Sequence, residues 1–160
     1  MPSRVSADAF RDALGRFATG VTIVTTQDAA GADVGMTASA FSSLSLDPPM
    51  VLACIDHAAR IAPNIAAAGH IGVSVLAEEQ EELSRRFAEK EGERFDGVPL
   101  VRGTSGVALV SGAIVHLECR ITARHEGGDH TVVFAEVTAA TTFEGRPLAY
   151  FRGGYGRLQR

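Results

Sequence analysis

The amino-acid sequence predicts a mainly β protein with a few helices, folded as a closed β-barrel rather than as a doubly wound parallel sheet. Runs of β-branched and apolar residues recur at short spacing, whereas only three segments have the spacing of a helix. No G-x-G-x-x-G motif follows a strand-like run, so a Rossmann nucleotide site is not expected. The 160 residues contain no repeat, low-complexity tract or linker, and we expect one domain spanning 1–160.

Three segments are predicted to be helical. In 6–18, Ser6 is suited to the N-cap, apolar residues recur at helical spacing, and Gly20 ends the pattern. The segment RIAPNIAAAG, 60–69, has proline near its start and glycine after its end. In EEQEELSRRFAEKEGERF, 78–95, acidic residues precede arginines, as the helix dipole favours.

The remaining periodic segments are predicted to be strands. VTIVTT is β-branched at every position, and QDAAGAD after it predicts a turn. The predicted strands in chain order are 21–26, 34–41, 50–55, 71–76 and two long strands within 113–143 that join at Glu126–Asp129.

Composition excludes several classes of function. Net charge is -4 with a pI near 5.7, so a nucleic-acid partner is not expected. No apolar run approaches the roughly 18 residues of a membrane span, and the N-terminus lacks the layout of a signal peptide. Cys54 and Cys119 stand alone in apolar stretches, without metal-ligand spacing. We therefore expect a reduced, cytoplasmic protein without a metal site.

One stretch, GMTASAFSSLSLDPPMVLACID at 35–56, carries many small hydroxyl residues and almost no charge. Small side chains allow a ligand to lie against the backbone, and Ser/Thr hydroxyls with free N–H groups offer neutral hydrogen bonds to a flat heteroaromatic ring. Pro48 and Pro49 cannot donate to a ladder, so the segment before them is expected to be free of strand pairing. The alternative is a Ser/Thr-rich strand and turn with one solvated face.

This stretch resembles the signature of the flavin reductase family with the FMN-binding split-barrel fold, the reductase partners of two-component flavin monooxygenases. The resemblance extends over nearly the whole chain and in order. The further matching segments are FRDALGRFATGVTIVTT, LSRRFAEKEGERFDG, HLECRITARHEGGDHTVVFAEV and PLAYFRGGYGRL.

The resemblance implies a homodimer of six-stranded split barrels with flavin at the subunit interface. It places Thr37, Ala38 and Ser39 along the isoalloxazine ring, and Ser42, Ser43 and Leu44 at the ring's edge. It places Cys54, Ile55 and Asp56 near the ribityl chain.

The resemblance also implies contacts for the rest of the cofactors. Arg60 and Asn64 are expected near the flavin phosphate, and Arg86 and Phe87 are a second candidate for phosphate or adenine contact. The triplet Gly128, Asp129 and His130 is associated with nicotinamide binding, and His130 is the residue assigned to the catalytic step, as a hydrogen-bond partner rather than a proton donor. Tyr155 is a candidate for closing over the site.

The function that these features indicate is reduction of free FMN or FAD by NADH or NADPH, with the reduced flavin passed to a partner monooxygenase. The cofactors carry the chemistry, which accounts for the lack of a triad or carboxylate pair in the sequence. Two alternatives remain: a flavoprotein of the same fold that retains its FMN, and a non-enzymatic flavin-binding module.

Overall fold

A computed structural model describes residues 1–160 as a mainly antiparallel β structure with three α-helices. The helices are α1 Ala7–Leu14, α2 Ala62–Ala67 and α3 Glu81–Ala88, with a 3-10 turn at Glu78–Gln80 before α3. The strands are β1 Thr19–Gly20, β2 Thr22–Gln27, β3 Asp33–Ala38, β4 Phe41–Leu46, β5 Pro49–Asp56, β6 His70–Val75, β7 Leu100–Arg102, β8 Ala108–Val110, β9 Val115–Gly127, β10 His130–Thr142, β11 Leu148–Phe151 and β12 Gly154–Arg157. No helix has both the length and the apolar character needed to cross a membrane.

Seven strands form the main sheet, in the order β3-β2-β6-β9-β10-β5-β4. The expectation of a closed barrel is wrong, because the edge strands β3 and β4 do not pair with each other. They diverge from a two-residue connection, Ser39–Ala40, to pair with β2 and β5 respectively. Buried side chains from six of the seven strands nevertheless share one hydrophobic core, and Phe41 of the seventh, β4, packs against it, so the sheet curves around it.

A second core lies outside the β2 and β6 side of the sheet. There Val21 and Leu76 pack with Phe87 of α3, Val110 of β8 and Leu148 of β11. The smaller sheets, β1-β11-β12 and β7-β8, therefore cover this side together with α3. The burial of apolar surface from separate parts of the chain fixes where α3 lies relative to β3.

The strands predicted from local pattern are confirmed with small shifts of their ends. The β-branched run forms β2, and the long hairpin forms β9 and β10 around a two-residue turn. The predicted strand 34–41 is two strands, β3 and β4, that meet at a corner. The segment before Pro48 is not free of pairing, because β4 pairs with β5 as an edge strand and only its outer edge is open.

The predicted helices are confirmed but shorter. Ser6 caps α1 by accepting from the Ala9 amide at 3.1 Å. The helix ends at Leu14 rather than residue 18, and Gly20 lies in β1, which pairs with β11. The predicted 78–95 helix ends at Ala88, because Glu89 has extended backbone geometry and Gly92 has a φ of 101°.

Candidate functional site

The corner between β3 and β4 lines a cavity of about 180 Å³, which we call the corner cavity. Two of the predicted ring-binding residues, Thr37 and Ser39, line it, and so does Tyr155 from the C-terminal hairpin. The residues that sequence reasoning missed here are Val21, Ser84, Ala88 and Tyr150. The cavity therefore brings together β3, α3 and the β11-β12 hairpin, with hydroxyl groups and no charged side chain among its lining residues.

Ala38 lies between Thr37 and Ser39 but its side chain has the opposite orientation. It is 6% exposed and packs with Val51 and Ala53 in the main core. Its carbonyl oxygen accepts a hydrogen bond from Thr22 Oγ1 at 2.7 Å. Side chains alternate along a strand, so residues 37 and 39 face the cavity while residue 38 faces the core.

A chain of hydrogen bonds connects the corner cavity to the C-terminal hairpin. Thr37 Oγ1 donates to the Ser84 carbonyl oxygen at 2.6 Å, and Ser84 Oγ lies 2.7 Å from the Tyr155 hydroxyl. The Arg85 guanidinium lies 4.9 Å from the centre of the Tyr155 ring, on its face. Because Thr37 has only one hydroxyl proton and donates it to Ser84, it can only accept a hydrogen bond from a ligand.

A second cavity, of about 270 Å³, opens beside the start of β3 and is called here the arginine cavity. Arg60 and Arg94 line it; Arg60 donates to the Gly92 carbonyl at 3.0 Å, and Arg94 to the Gly35 carbonyl at 2.6 Å. Burial, and next the neighbouring charge of Arg60, lower the pKa of Arg94, against the effect of Glu89. The Nε atom of Arg94 is buried and has no hydrogen-bond partner.

The acidic residues at the arginine cavity do not neutralise both arginines. Asp33 lines the cavity, but both its carboxylate oxygens accept from Arg102 at 2.5 Å. Glu93 is the other carboxylate in the lining. Two guanidinium groups against one unpaired carboxylate leave a net positive charge, which suits an anion with several oxygens.

The other residues predicted near a phosphate have different surroundings. Arg86 donates to the carbonyl oxygens of Glu93, at 2.9 Å, and Asp96, at 2.5 Å, and so holds the loop after α3. Phe87 has no exposed surface and packs edge-to-face on Phe95 in the second core, so its side chain is a core residue rather than a ligand contact. Asn64 lies half-buried in α2 and is not among the residues that line the arginine cavity.

The predicted edge-covering residues lie on β4. Ser42, Ser43 and Leu44 are all exposed, and Ser42 Oγ donates to the Ser43 carbonyl at 2.9 Å. They line neither cavity. They instead present an open, partly apolar strand edge next to the corner.

Strand β5 joins the corner to the tip of the β9-β10 hairpin. The Cys54 amide donates to the Ala40 carbonyl at 2.9 Å, and two residues further along the strand Asp56 pairs with His130. Cys54 and Asp56 are half-buried on the outer face, whereas Ile55 is buried in the core. Ala40 and His130 are therefore about 12 Å apart, because two inter-strand spacings and two residues along a strand lie between them.

The hairpin tip carries the predicted triplet. Gly128 has a φ of 63°, a conformation that favours glycine, and it forms the two-residue turn with Asp129. His130 Nδ1 lies 2.7 Å from Asp129 Oδ1, and this contact is the first cause of the lowered pKa of Asp129. The imidazole of His130 is thereby held at the tip with 37% of its side chain exposed.

The two cysteines have different surroundings. Cys119 is buried in the main core, and burial, assisted by Glu118, raises the pKa of its thiol to about 12. Cys54 is half-buried on β5 and forms no disulfide. Cys119 therefore behaves as a small apolar residue of the core.

Comparison with known proteins gives one consistent result. A family model described as "Flavin reductase like domain" matches residues 14–159. The FMN reductase (NADH) SmoA of Agrobacterium fabrum is 38% identical over 160 residues, which cover 100% of this chain and 91% of that protein. The reductase subunit HsaB of a flavin-dependent monooxygenase from Rhodococcus jostii is 40% identical over 151 residues, covering 94% of this chain and 77% of the relative.

Solved structures agree with the sequence matches. The NADH:FAD oxidoreductase SgcE6 of Streptomyces globisporus C-1027, in complex with NAD and FAD fragments, superposes with a TM-score of 0.91 at 37% identity, covering 98% of this chain and 97% of that one. One further relative by sequence is much longer than this chain. A probable flavin reductase of Rhizobium meliloti is 41% identical over 147 residues, but this chain spans only 47% of its length. The chain thus matches some relatives end to end and about half of another.

Proposed function

The chain belongs to the flavin reductase-like domain family, and from this premise we propose that it is an NAD(P)H-dependent flavin reductase. Its substrate is free FMN or FAD, and its product, reduced flavin, serves a partner monooxygenase. The observation that carries the proposal is the corner cavity, which is uncharged, rich in hydroxyl groups and connected through β5 to a histidine-bearing hairpin tip. Two relatives named for NADH support NADH as the first nicotinamide cofactor to test.

The residues present fit a flavin in two respects. The corner cavity offers neutral acceptors and small side chains, which suit a flat ring with N–H groups and carbonyl oxygens on its edge. The arginine cavity offers two guanidinium groups, one of them with a buried Nε that lacks a partner, and these suit a phosphate. We propose Thr37 and Ser39 for the ring and Arg60 with Arg94 for the phosphate.

The two bound cofactors supply the chemistry, which is hydride transfer from nicotinamide C4 to flavin N5. The protein's residues bind and orient. Thr37 would accept from the ring edge, the Ser39 hydroxyl would provide a further hydrogen bond, and the Tyr155–Ser84 contact keeps the C-terminal hairpin against the cavity. Positioning of two reactants lowers the barrier without an acid or base on the protein.

His130 is proposed to bind the nicotinamide cofactor through its amide or pyrophosphate. His130→Ala is expected to raise the KM for NADH about five-fold, because the partly exposed side chain makes a contact at the low end of the hydrogen-bond range, about 1 kcal/mol. The Kd for flavin is expected to stay unchanged, since the tip lies about 12 Å from the corner. Steady-state kinetics and flavin titration measure the two quantities. A weaker flavin Kd with an unchanged KM for NADH would withdraw this assignment.

We propose that residues 1–160 form a single split-barrel domain that works as a homodimer. Helix α1 has no buried residue, and Phe10 and Leu14 on it and Phe17 just after it are exposed. A helix of 8 residues is too short to persist in water without packing, so a permanent partner is needed to cover it. A second copy of the chain is such a partner, and Leu44 and Leu46 on the open edge of β4 offer further apolar surface.

The double variant Phe10→Asp, Phe17→Asp is expected to shift the protein from dimer to monomer and to weaken flavin binding at a shared interface. Sedimentation velocity measures the assembly state. Val101→Asp, a similarly exposed apolar position on β7, is the matched control and is expected to leave the dimer intact. A wild-type protein that is monomeric and active at assay concentrations would refute the dimer.

Two other functions make different predictions for one experiment. Anaerobic mixing of the protein with NADH or NADPH and with FMN, FAD or riboflavin, followed by visible absorbance, is expected to bleach the flavin at catalytic protein concentrations. A flavoprotein that retains its FMN would stay yellow after dialysis and reduce only its own flavin. A non-enzymatic flavin-binding module would bind flavin without any oxidation of NADH.

A further inference from the structure

We propose that His57 is a positioning residue for the nicotinamide side of the site, acting through Glu126 on the hairpin tip. His57 directly follows β5, and it contacts the tip twice. Its Nε2 atom lies 2.9 Å from Glu126 Oε2, and its backbone N–H donates to the Asp129 carbonyl at 2.9 Å. The inference rests on the proposed function, because it requires the tip to bind NADH or NADPH.

The contact spans the whole width of the tip. Strand β10 lies between β5 and β9, and His57 reaches from the end of β5 to a β9 residue. Glu126 lies on the same face of the hairpin as its paired residue Thr131, whose hydroxyl donates to it at 3.3 Å. His130 lies on the opposite face, together with its paired residue Asp56. His57 and His130 thus hold the tip from opposite faces.

The tip needs such a contact because its β9 side has little other support. Strand β6 pairs with β9 only as far as Arg120, so residues 122–127 extend past the β6 ladder. In that extension Arg124 is bonded to α2 through the Ile65 carbonyl at 2.9 Å, and Glu126 is bonded to His57. Two adjacent glycines, Gly127 at the end of β9 and Gly128 in the turn, also favour flexibility there. The His57–Glu126 pair is therefore placed to fix the position from which His130 contacts the cofactor.

His57→Ala is expected to raise the KM for NADH about two- to five-fold, the range for an exposed pair of polar side chains, with kcat and the flavin Kd unchanged. His57→Gln keeps an N–H donor of similar reach and is expected to restore most of the loss. Glu126→Ala is expected to match His57→Ala, and the double variant is expected to be no worse than either single one. Arg120 and Glu136, an exposed pair 2.9 Å apart on the same hairpin but far from the tip, provide the matched control, since Arg120→Ala is expected to leave the KM unchanged.

Native-state hydrogen exchange provides a readout that does not depend on activity. His57→Ala is expected to speed exchange at amides 126–131, and Arg120→Ala is not. Unchanged exchange at the tip, or an unchanged KM for NADH in a His57→Ala variant when His130→Ala does raise it, would overturn the inference and leave the proposed function intact. Faster exchange at the tip with no effect of either histidine on the KM would instead overturn the nicotinamide assignment of the hairpin. An equal loss of flavin affinity and of NADH affinity would show general disruption and would also overturn the positioning role.

Discussion

Ser39→Tyr is expected to abolish flavin binding while the protein remains folded. Ser39 is exposed, its side chain lines the corner cavity, and it adjoins the two-residue corner between β3 and β4. A phenol ring there fills space in a cavity of only about 180 Å³ and prevents the flavin ring from lying against this wall. We expect flavin affinity to fall at least about 100-fold, which corresponds to roughly 2.7 kcal/mol. Flavin fluorescence quenching measures the affinity, and thermal unfolding by circular dichroism reports the fold.

The matched control is Ala29→Tyr, at an exposed turn between β2 and β3, away from both cavities. It adds the same aromatic ring close to the same strand and is expected to leave flavin affinity unchanged. Normal affinity in folded Ser39→Tyr would show that the corner cavity is not the ring site. Ala38→Phe tests something different, because Ala38 packs in the main core and an added ring is expected to lower the free energy of unfolding by about 1–3 kcal/mol.

The parts of the fold that were predictable from the sequence are those that local pattern determines. Strand β2 is β-branched throughout, and the β9-β10 hairpin has its glycine turn between two long alternating strands, so each is specified by adjacent residues. Strands β7, β8, β11 and β12 have three or four residues each and pair as two short hairpins, which are held in place by the packing of Val110 and Leu148 with Phe87 of α3 in the second core. In the predicted helix 78–95, tertiary contacts also prevail over local pattern. Arg86 and Arg94 donate to carbonyl groups of the loop that replaces the second half of this helix.

The residues of the candidate site likewise divide into those with a local sequence signature and those that only the fold brings together. The family signature identified Thr37 and Ser39. That the side chain of Ala38, between them, points into the core is evident only from the register of β3 on β2. Ser84 and Tyr155 are separated by 71 residues and meet through α3 and the C-terminal hairpin. Arg94 lies in the LSRRFAEKEGERFDG segment of the family resemblance but received no role from it, and only the fold brings it beside Arg60. Sequence reasoning therefore found residues with a local signature and missed those defined by tertiary contact.

Replacing both arginines of the arginine cavity is expected to separate FMN from riboflavin. Arg60→Met and Arg94→Met each remove one guanidinium from a lining that holds one unpaired carboxylate, Glu93, and a second carboxylate already neutralised by Arg102. A charge-assisted hydrogen bond contributes about 1.5–3 kcal/mol, and the low end applies to partly exposed groups, so each variant is expected to weaken FMN binding about ten-fold. The double variant is expected to weaken it about 100-fold if the two contacts are independent.

Riboflavin distinguishes a phosphate contact from a structural effect, because it has the same ring and ribityl chain without the phosphate. Arg94 also donates to the Gly35 carbonyl, so its loss can loosen the loop after α3 and affect every flavin equally. The informative quantity is therefore the ratio of the riboflavin Kd to the FMN Kd, measured by titration for each variant. We expect this ratio to fall about ten-fold in each single variant and to stay at the wild-type value in Arg120→Met, an exposed arginine of β9 that lines neither cavity. A ratio that stays constant while both affinities fall would mean that the arginines only hold the loop, and the flavin phosphate would then have to bind elsewhere on the chain or on its partner copy.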